Sequence, residues 1–145
     1  LAERETWAVW CSTGRCLFID REGFAFGSAP SLQGGAILKI SDERNEDFLG
    51  KNILSQEEFR KLVELVRRLP KRIKEDVSSI EIKVSGNLKH LNLKSGWYLI
   101  IDDETEVDKA LENIALALDS EIKDSRSKLE YVDLRFPDKV FYRYK

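Results

Sequence analysis

The chain has 145 residues, of which 42% are hydrophobic and 34% are charged, so it can bury the core of a single domain. Its 24 basic and 26 acidic side chains give a formal net charge of -2, which argues against nucleic-acid binding through excess positive charge. No apolar run is long enough to span a membrane, and the first residues lack a signal-peptide pattern. Because the sequence contains no methionine, we expect it to be part of a longer protein, with any membrane anchor upstream.

The first part of the chain is predicted to form short strands. Thr6–Cys11 and Cys16–Asp20 are aromatic and β-branched, and the four residues between them include Gly14, which predicts a hairpin with a four-residue loop. The following residues predict two further strands, Phe24–Phe26 and Ala36–Ile40, and two loops, residues 28–35 and 42–47.

Two amphipathic helices are predicted. The first begins at Ser55, because Ser55 and Glu58 match a capping box and apolar residues follow at spacings of three and four. Pro70 is expected to weaken or kink the end of this helix. Thr105 is expected to cap the second helix, with Asp108 as the fourth residue of the capping box. Its apolar stripe is formed by Val107, Ala110, Leu111, Ile114, Ala115, Leu118 and Ile122.

The remaining strands lie between the helices and at the end of the chain. Apolar alternation predicts strands at Ser79–Ser85, Leu88–Leu93 and Trp97–Asp102. Leu129–Phe136 and Lys139–Tyr144 predict a closing hairpin with a tight turn at Pro137 and Asp138. This order predicts one α+β domain over residues 1–145: a mostly antiparallel sheet, with both helices packed on one side and a C-terminal β-hairpin.

Candidates for catalysis or metal binding are few. His90 is the only histidine, and the acidic residues Asp102 and Asp103 precede a helix, where negative charge complements the helix dipole. No P-loop, dinucleotide fingerprint or nucleophile elbow occurs, so we expect no catalysis, no cofactor and no metal. The alternative is an envelope enzyme or ligand-binding domain, which requires His90, Asp102 and Asp103 to converge in one cleft.

Two other features leave alternatives open. Cys11 and Cys16 flank the predicted hairpin loop, where they can form a disulfide across two strands or remain two small buried thiols. A basic run lies near the end of the first helix, where cations complement the dipole, although it can also contact anionic lipid. This run consists of Arg67, Arg68, Lys71, Arg72 and Lys74.

The closing hairpin is the most informative segment. Val132, Leu134 and Phe136 share one face, whereas Asp133 and Arg135 share the other and can form a salt bridge. A final strand often lies at a sheet edge, where a partner can add a strand of its own, although the hairpin can equally be core sheet. The aromatic anchors for such a partner would be Phe141, Tyr142 and Tyr144.

Motifs near both ends of the chain follow the pattern of one family. The first set consists of Glu3-Arg4, Ala8 and Trp10, followed by Ile19-Asp20, Gly23 and Phe26. It resembles the segment that joins the POTRA and β domains of the bacterial division proteins FtsQ and DivIB, although Thr6 or Trp7 stands where proline is common. Tyr131–Phe136 (YVDLRF) is similar to the closing strand of the same family. The Cys11 and Cys16 pair is not part of this pattern.

The resemblance implies a non-catalytic divisome scaffold that supports septum formation. It implies a single-pass protein of the cytoplasmic membrane, with this domain on the extracytoplasmic side at the septum. The transmembrane helix and the POTRA domain would lie upstream, with residues 1–11 as the junction. It also implies partners resembling FtsB and FtsL, bound by strand addition at the C-terminal edge strand. Carried over by position, the partner-binding residues are Phe136, Asp138, Val140, Phe141 and Tyr142.

Overall fold

A computed structural model describes residues 4–30 and 37–145, and within these ranges nine strands form one sheet in the order β3-β2-β1-β4-β5-β6-β7-β8-β9. The first four strands are β1 (Ala8–Ser12), β2 (Arg15–Ile19), β3 (Ala25–Ala29) and β4 (Leu38–Asp42). The others are β5 (Val77–Ile82), β6 (Lys89–Leu93), β7 (Tyr98–Ile101), β8 (Leu129–Asp133) and β9 (Phe141–Tyr144). The helices are α1 (Gln56–Ile73) and α2 (Val107–Ala117), and α2 continues into a π-helical segment, Leu118–Ile122, and a 3-10 segment, Lys123–Lys128.

The sheet is mixed, so the prediction of a mostly antiparallel sheet is wrong. β1 pairs with β4, β4 with β5, and β7 with β8, all in parallel. Two of these pairings follow from the helices, because α1 connects β4 to β5 and α2 connects β7 to β8. A helical crossover returns the chain to the end of the sheet where the previous strand began, so the next strand runs in the same direction. The predicted C-terminal hairpin is present as β8 and β9.

The first hairpin turns through two residues rather than the predicted four. Thr13 and Gly14 both have positive φ, 46° and 79°, as in the type I′ turns that suit two-residue hairpins. Ser12 and Arg15 therefore pair with each other and lengthen both strands. The following strand, β3, extends to Ala29, into residues predicted to be a loop, and Ala36 lies outside the described residues.

Both helices pack on the same face of the sheet. They contact each other, and their apolar stripes join one hydrophobic cluster with the inward-facing residues of the strands. α1 begins as predicted, because the Ser55 hydroxyl accepts a hydrogen bond of 3.2 Å from the backbone N–H of Glu58. It continues through Pro70 to Ile73. Within the described residues, neither helix is long and apolar enough to cross a membrane.

The prediction that Thr105 caps the second helix is wrong. α2 begins at Val107, and Glu106 precedes it without a capping bond from its side chain. The Thr105 hydroxyl instead accepts a hydrogen bond from the backbone N–H of Asp102 and donates one to the Asp102 carboxylate, each 3.0 Å long. Thr105 therefore closes the loop ahead of the helix rather than capping the helix.

Two strands end in the same arrangement, a buried aspartate bound by an arginine two residues later. Arg44 binds Asp42 at 2.6 Å, and the Trp10 indole donates to the same carboxylate at 2.8 Å. Asp42 is thus a buried strand residue, and its prediction as part of an exposed loop is wrong. Arg135 binds Asp133 at 2.7 Å, which confirms the predicted salt bridge.

Candidate partner-binding edge

β9 is the terminal strand of the sheet and, among the described residues, pairs on one side only, with β8. The direction of its backbone groups follows from its neighbours. The N–H of Lys145 donates to the carbonyl of Lys128 on the β8 side. Because residues alternate in an antiparallel strand, the backbone N–H and C=O of Tyr142 and Tyr144 point away from the sheet.

The other side of the hairpin agrees with this direction. The N–H of Leu134 donates to the carbonyl of Ile100 at the end of β7. The backbone N–H and C=O groups of even-numbered residues at the end of β8 therefore point toward β7. The backbone groups of Tyr131 and Asp133 therefore point toward β9, where these residues pair with Arg143 and Phe141. The two directions are consistent, and they leave a row of outward N–H and C=O groups along β9.

Aromatic side chains surround this edge. Phe136 is 43% exposed, Phe141 is 50% exposed and Tyr144 is 39% exposed. The rings of Phe136 and Phe141 meet edge to face at 5.2 Å, and those of Tyr142 and Tyr144 meet in the same way at 5.6 Å. The hairpin therefore presents exposed aromatic surface beside its free backbone groups.

Two ionisable groups at the aromatic edge have shifted pKa values. The hydrogen bond to Asp133 raises the pKa of the Arg135 guanidinium, which lies 5.6 Å from the ring centroid of Phe136. Loss of solvation and, secondarily, the nearby Glu121 carboxylate raise the pKa of Tyr142. Both shifts favour the usual charge at neutral pH, so the edge presents the neutral Tyr142 phenol and the positive Arg135 guanidinium.

Pro137 and Asp138 form a turn as predicted, but the whole connection before β9 is longer than that turn because the two strands are shorter than predicted. Seven residues, 134–140, separate Asp133 from Phe141. This segment rests on α2, because the Asn113 side chain donates to the carbonyl of Pro137 at 3.0 Å. It also borders a cleft with the start of α2, which is lined by Glu104, Glu106, Lys109, Ala110, Arg135 and Phe136.

The structure brings most of the residues implied by the family resemblance to one edge. Phe136, Phe141 and Tyr142 lie there together, Val140 is half-buried and packs against the core, and Asp138 is exposed in the connection. The sequence did not single out the outward backbone of Tyr144. Backbone N–H and C=O groups point alternately to the two sides of a strand. Which residues point outward can be assigned only when the hydrogen bonds to the neighbouring strand are known.

The residues of the alternative enzyme hypothesis have separate partners. His90 lies on the face of the sheet away from the helices, where it stacks on Tyr98 at 4.6 Å, and burial lowers its pKa. The Asp102 carboxylate is bound to Thr105, and the backbone carbonyl of Asp103 accepts from Lys61. No group of three or more His, Cys, Asp and Glu residues that could hold a metal ion occurs in the part of the chain that the structure describes.

The two cysteines and the basic run also have defined positions. Cys11 and Cys16 lie directly opposite each other in the first hairpin and are joined by a disulfide, with their Cα atoms 4.1 Å apart. In the basic run, Arg67 binds Glu64 and Arg68 binds Asp108 across to α2. The run is therefore not one continuous surface of free cations.

The chain belongs to the FtsQ/DivIB family of cell division proteins, because the family model described as "Cell division protein FtsQ/DivIB, C-terminal" matches residues 8–135. This match runs from the start of β1 to Arg135, and it confirms the family that the sequence motifs indicated. The chain is accordingly a cell division protein domain.

A solved structure supports the fold. The chain is similar to the major extracytoplasmic domain of the trans isomer of the bacterial cell division protein DivIB from Geobacillus stearothermophilus, with 16% sequence identity and a TM-score of 0.51. The similarity covers 85% of this chain and 100% of the other. At this level of identity the likeness concerns the fold. No curated protein sequence is significantly similar to this chain.

Proposed function

We propose that this domain is a non-catalytic scaffold of the division machinery, and that it binds other division proteins by adding a strand to β9. The observation that carries this proposal is the free side of β9, where the N–H and C=O groups of Tyr142 and Tyr144 point outward. An extended segment can pair with such groups through the same hydrogen bonds that hold the sheet together.

Backbone pairing alone gives little specificity. The net contribution of one hydrogen bond is only about 0.5–1.5 kcal/mol, and the entropy lost when the partner segment becomes ordered opposes binding. The exposed rings of Phe136 and Phe141 supply apolar area next to the free edge, and Val140 sets the strand against the core. We propose that partners resembling FtsB and FtsL place their own apolar side chains against these rings.

The proposed location is the extracytoplasmic side of the cytoplasmic membrane at the septum. The similar DivIB structure is described as an extracytoplasmic domain, and a disulfide between Cys11 and Cys16 suits an oxidising compartment. In this proposal a transmembrane helix and a POTRA domain precede the chain, and residues 1–11, the last four of which belong to β1, join that domain to the sheet.

A proline at Tyr142 tests the proposal most directly. Proline removes the outward N–H and places ring atoms in the path of an added strand, while the bonds to β8 remain. Tyr142→Ala is the matched control, because it removes the same side chain but keeps the N–H. Both variants are titrated calorimetrically with the extracytoplasmic segment of the FtsB-like protein from the same organism.

We expect Tyr142→Ala to weaken binding and Tyr142→Pro to abolish it, with circular dichroism showing that both variants are folded. Equal binding by the alanine and proline variants would show that the backbone of β9 does not pair with this partner. A folded parent chain that does not bind the segment at all would contradict the proposed partner.

A further inference from the structure

One end of the strands collects exposed cations from four separate segments of the chain. β5 pairs antiparallel with β6, β6 antiparallel with β7, β7 parallel with β8, and β8 antiparallel with β9. The starts of β5, β7 and β8 and the ends of β6 and β9 therefore share one end of the sheet. The C-terminus of α1 lies at the same end, because it leads directly into β5.

Hydrogen bonds connect these segments. The Arg126 side chain donates to the carbonyl of Ile73 at 2.6 Å, which joins the 3-10 segment to the end of α1. The N–H of Lys94 donates to the carbonyl of Asp76, and the N–H of Lys145 donates to the carbonyl of Lys128. The segments thus form one continuous surface, here called the basic end.

The basic end holds seven exposed cations that have no carboxylate within 4 Å among the described residues. They are Lys71, Arg72, Lys74, Lys94, Lys123, Lys128 and Lys145. The unpaired carboxylates of the same segments are four, Asp76, Asp119, Glu121 and Asp124, while Glu75 is buried against Arg126. Counted over side chains alone, the four segments therefore have an excess of three positive charges, although the side chains of the whole chain sum to a net charge of -2.

One loop at the opposite end of the strands is acidic. The loop between β7 and α2 carries Asp102, Asp103, Glu104 and Glu106. A molecule with cations at one end and carboxylates at the other is oriented by a negatively charged plane, which attracts one end and repels the other. The chain also enters β1 at the same end of the sheet as the start of β5, since β1 runs parallel to β4 and β4 to β5.

We propose that the basic end binds the headgroups of an anionic phospholipid membrane and holds the domain with its acidic end away from the bilayer. Long lysine side chains on several loops suit a flat, diffuse layer of phosphate charge, and no enclosed cradle is needed. The inference is independent of strand addition, because the basic end shares no residue with those assigned to the partner-binding edge.

The experiment is co-sedimentation of the 145-residue chain with vesicles. One set contains phosphatidylcholine alone, and the other contains equal parts of phosphatidylcholine and phosphatidylglycerol. We expect binding only to the anionic vesicles, and weaker binding at about 0.15 M salt, where the Debye length is about 8 Å.

A charge-reversal variant locates the contact. Lys71→Glu, Lys94→Glu and Lys128→Glu together change three segments of the basic end. Each cation near an anionic surface contributes about a fivefold gain in affinity, so the triple variant is expected to bind at least about tenfold more weakly.

The matched control reverses three exposed lysines elsewhere, Lys39, Lys51 and Lys109, and therefore has the same net charge as the triple variant. Retained vesicle binding by the control supports the proposal. Equal loss in both variants would mean that only net charge matters, and no binding by the parent chain would overturn the proposal outright.

A final arm separates lipid from free phosphate. Soluble glycerol phosphate is added to the anionic vesicles, and its direct binding is measured by calorimetry. If it binds saturably and releases the chain from the vesicles, the basic end is a phosphate site and the membrane proposal is wrong. If it has no effect beyond that of its ionic strength, the headgroup layer is the ligand.

Discussion

Replacing Glu58 by alanine is expected to destabilise the domain more than replacing its ion-pair partner, Lys89, by methionine. Lys89 lies at the start of β6 and its side chain is only 2% exposed, whereas the Glu58 side chain in the first turn of α1 is 25% exposed. The ammonium group donates to the Glu58 carboxylate at 2.5 Å. The pair joins helix to sheet, but only one partner is enclosed.

The difference in burial between Lys89 and Glu58 sets how much each substitution lowers the free energy of unfolding. Removing one member of a buried pair costs about 3–5 kcal/mol, because the other charge is left without compensation. Glu58→Ala leaves a fully enclosed ammonium, and partial solvation of the original pair reduces the expected cost to about 2–3 kcal/mol. Lys89→Met keeps an unbranched side chain, shorter by its charged end, and leaves a carboxylate that water reaches. Its cost is therefore expected to stay below about 1 kcal/mol.

Urea unfolding followed by circular dichroism at neutral pH measures these free energies for the parent chain, both single variants and the double variant. The double variant is expected to match Lys89→Met, because no buried charge is left in either. If Lys89→Met proves as destabilising as Glu58→Ala, or if the double variant is the least stable, the enclosed ammonium is not the source of the cost.

Four further outcomes are expected. Replacing Cys11 and Cys16 by serine should lower the free energy of unfolding by about 2 kcal/mol, the value expected from the loop entropy of a closed loop of six residues. A parent chain that is equally stable with and without reductant would contradict this. Val140→Pro should abolish binding of the FtsB-like segment while Val140→Ala only weakens it, as measured by calorimetry, and normal binding by the proline variant would exclude this end of the edge. Because burial lowers the pKa of His90 below its ordinary value of 6.5, the unfolded chain binds more protons, so stability should fall as the pH drops below about 6.5. Thermal unfolding of His90→Gln should show a shallower fall over that range, and an unchanged slope would assign it to other groups. Gly23→Ala should destabilise the domain strongly, because Gly23 has a φ of 88° and an added Cβ would lie 2.7 Å from the Phe59 ring. An unchanged melting temperature would show that the ring can move away.

Local signals in the sequence predicted the elements but not how they assemble. The apolar stripe and the Ser55 cap identified α1, since both depend only on residues within one or two helical turns. The parallel pairings were missed because the pairing of distant strands is set by packing of the whole sheet. Thr105 failed as a cap because Asp102, three residues earlier, competes for its hydroxyl.

Part of the candidate partner-binding edge was likewise predicted from the sequence, and part of it was not. Family motifs indicated Phe136 and the final strand, and hydrophobic alternation placed Asp133 and Arg135 on one face. The free side of β9 became clear only from the sheet order and from the hydrogen bond of Lys145. The length of the connection before β9 was also hidden, because the support that Asn113 gives to it comes from a distant helix.

The order of strands in the sheet also affects how the domain assembles. After the first three strands, each new strand pairs with one that precedes it in the chain: β4 with β1, β5 with β4, and so on to β9. A chain emerging from its N-terminus can therefore extend the sheet at one growing edge, with β9 added last. The proposed docking strand has a template only after β8 is in place, so a division partner that recognises β9 would select molecules whose folding is complete.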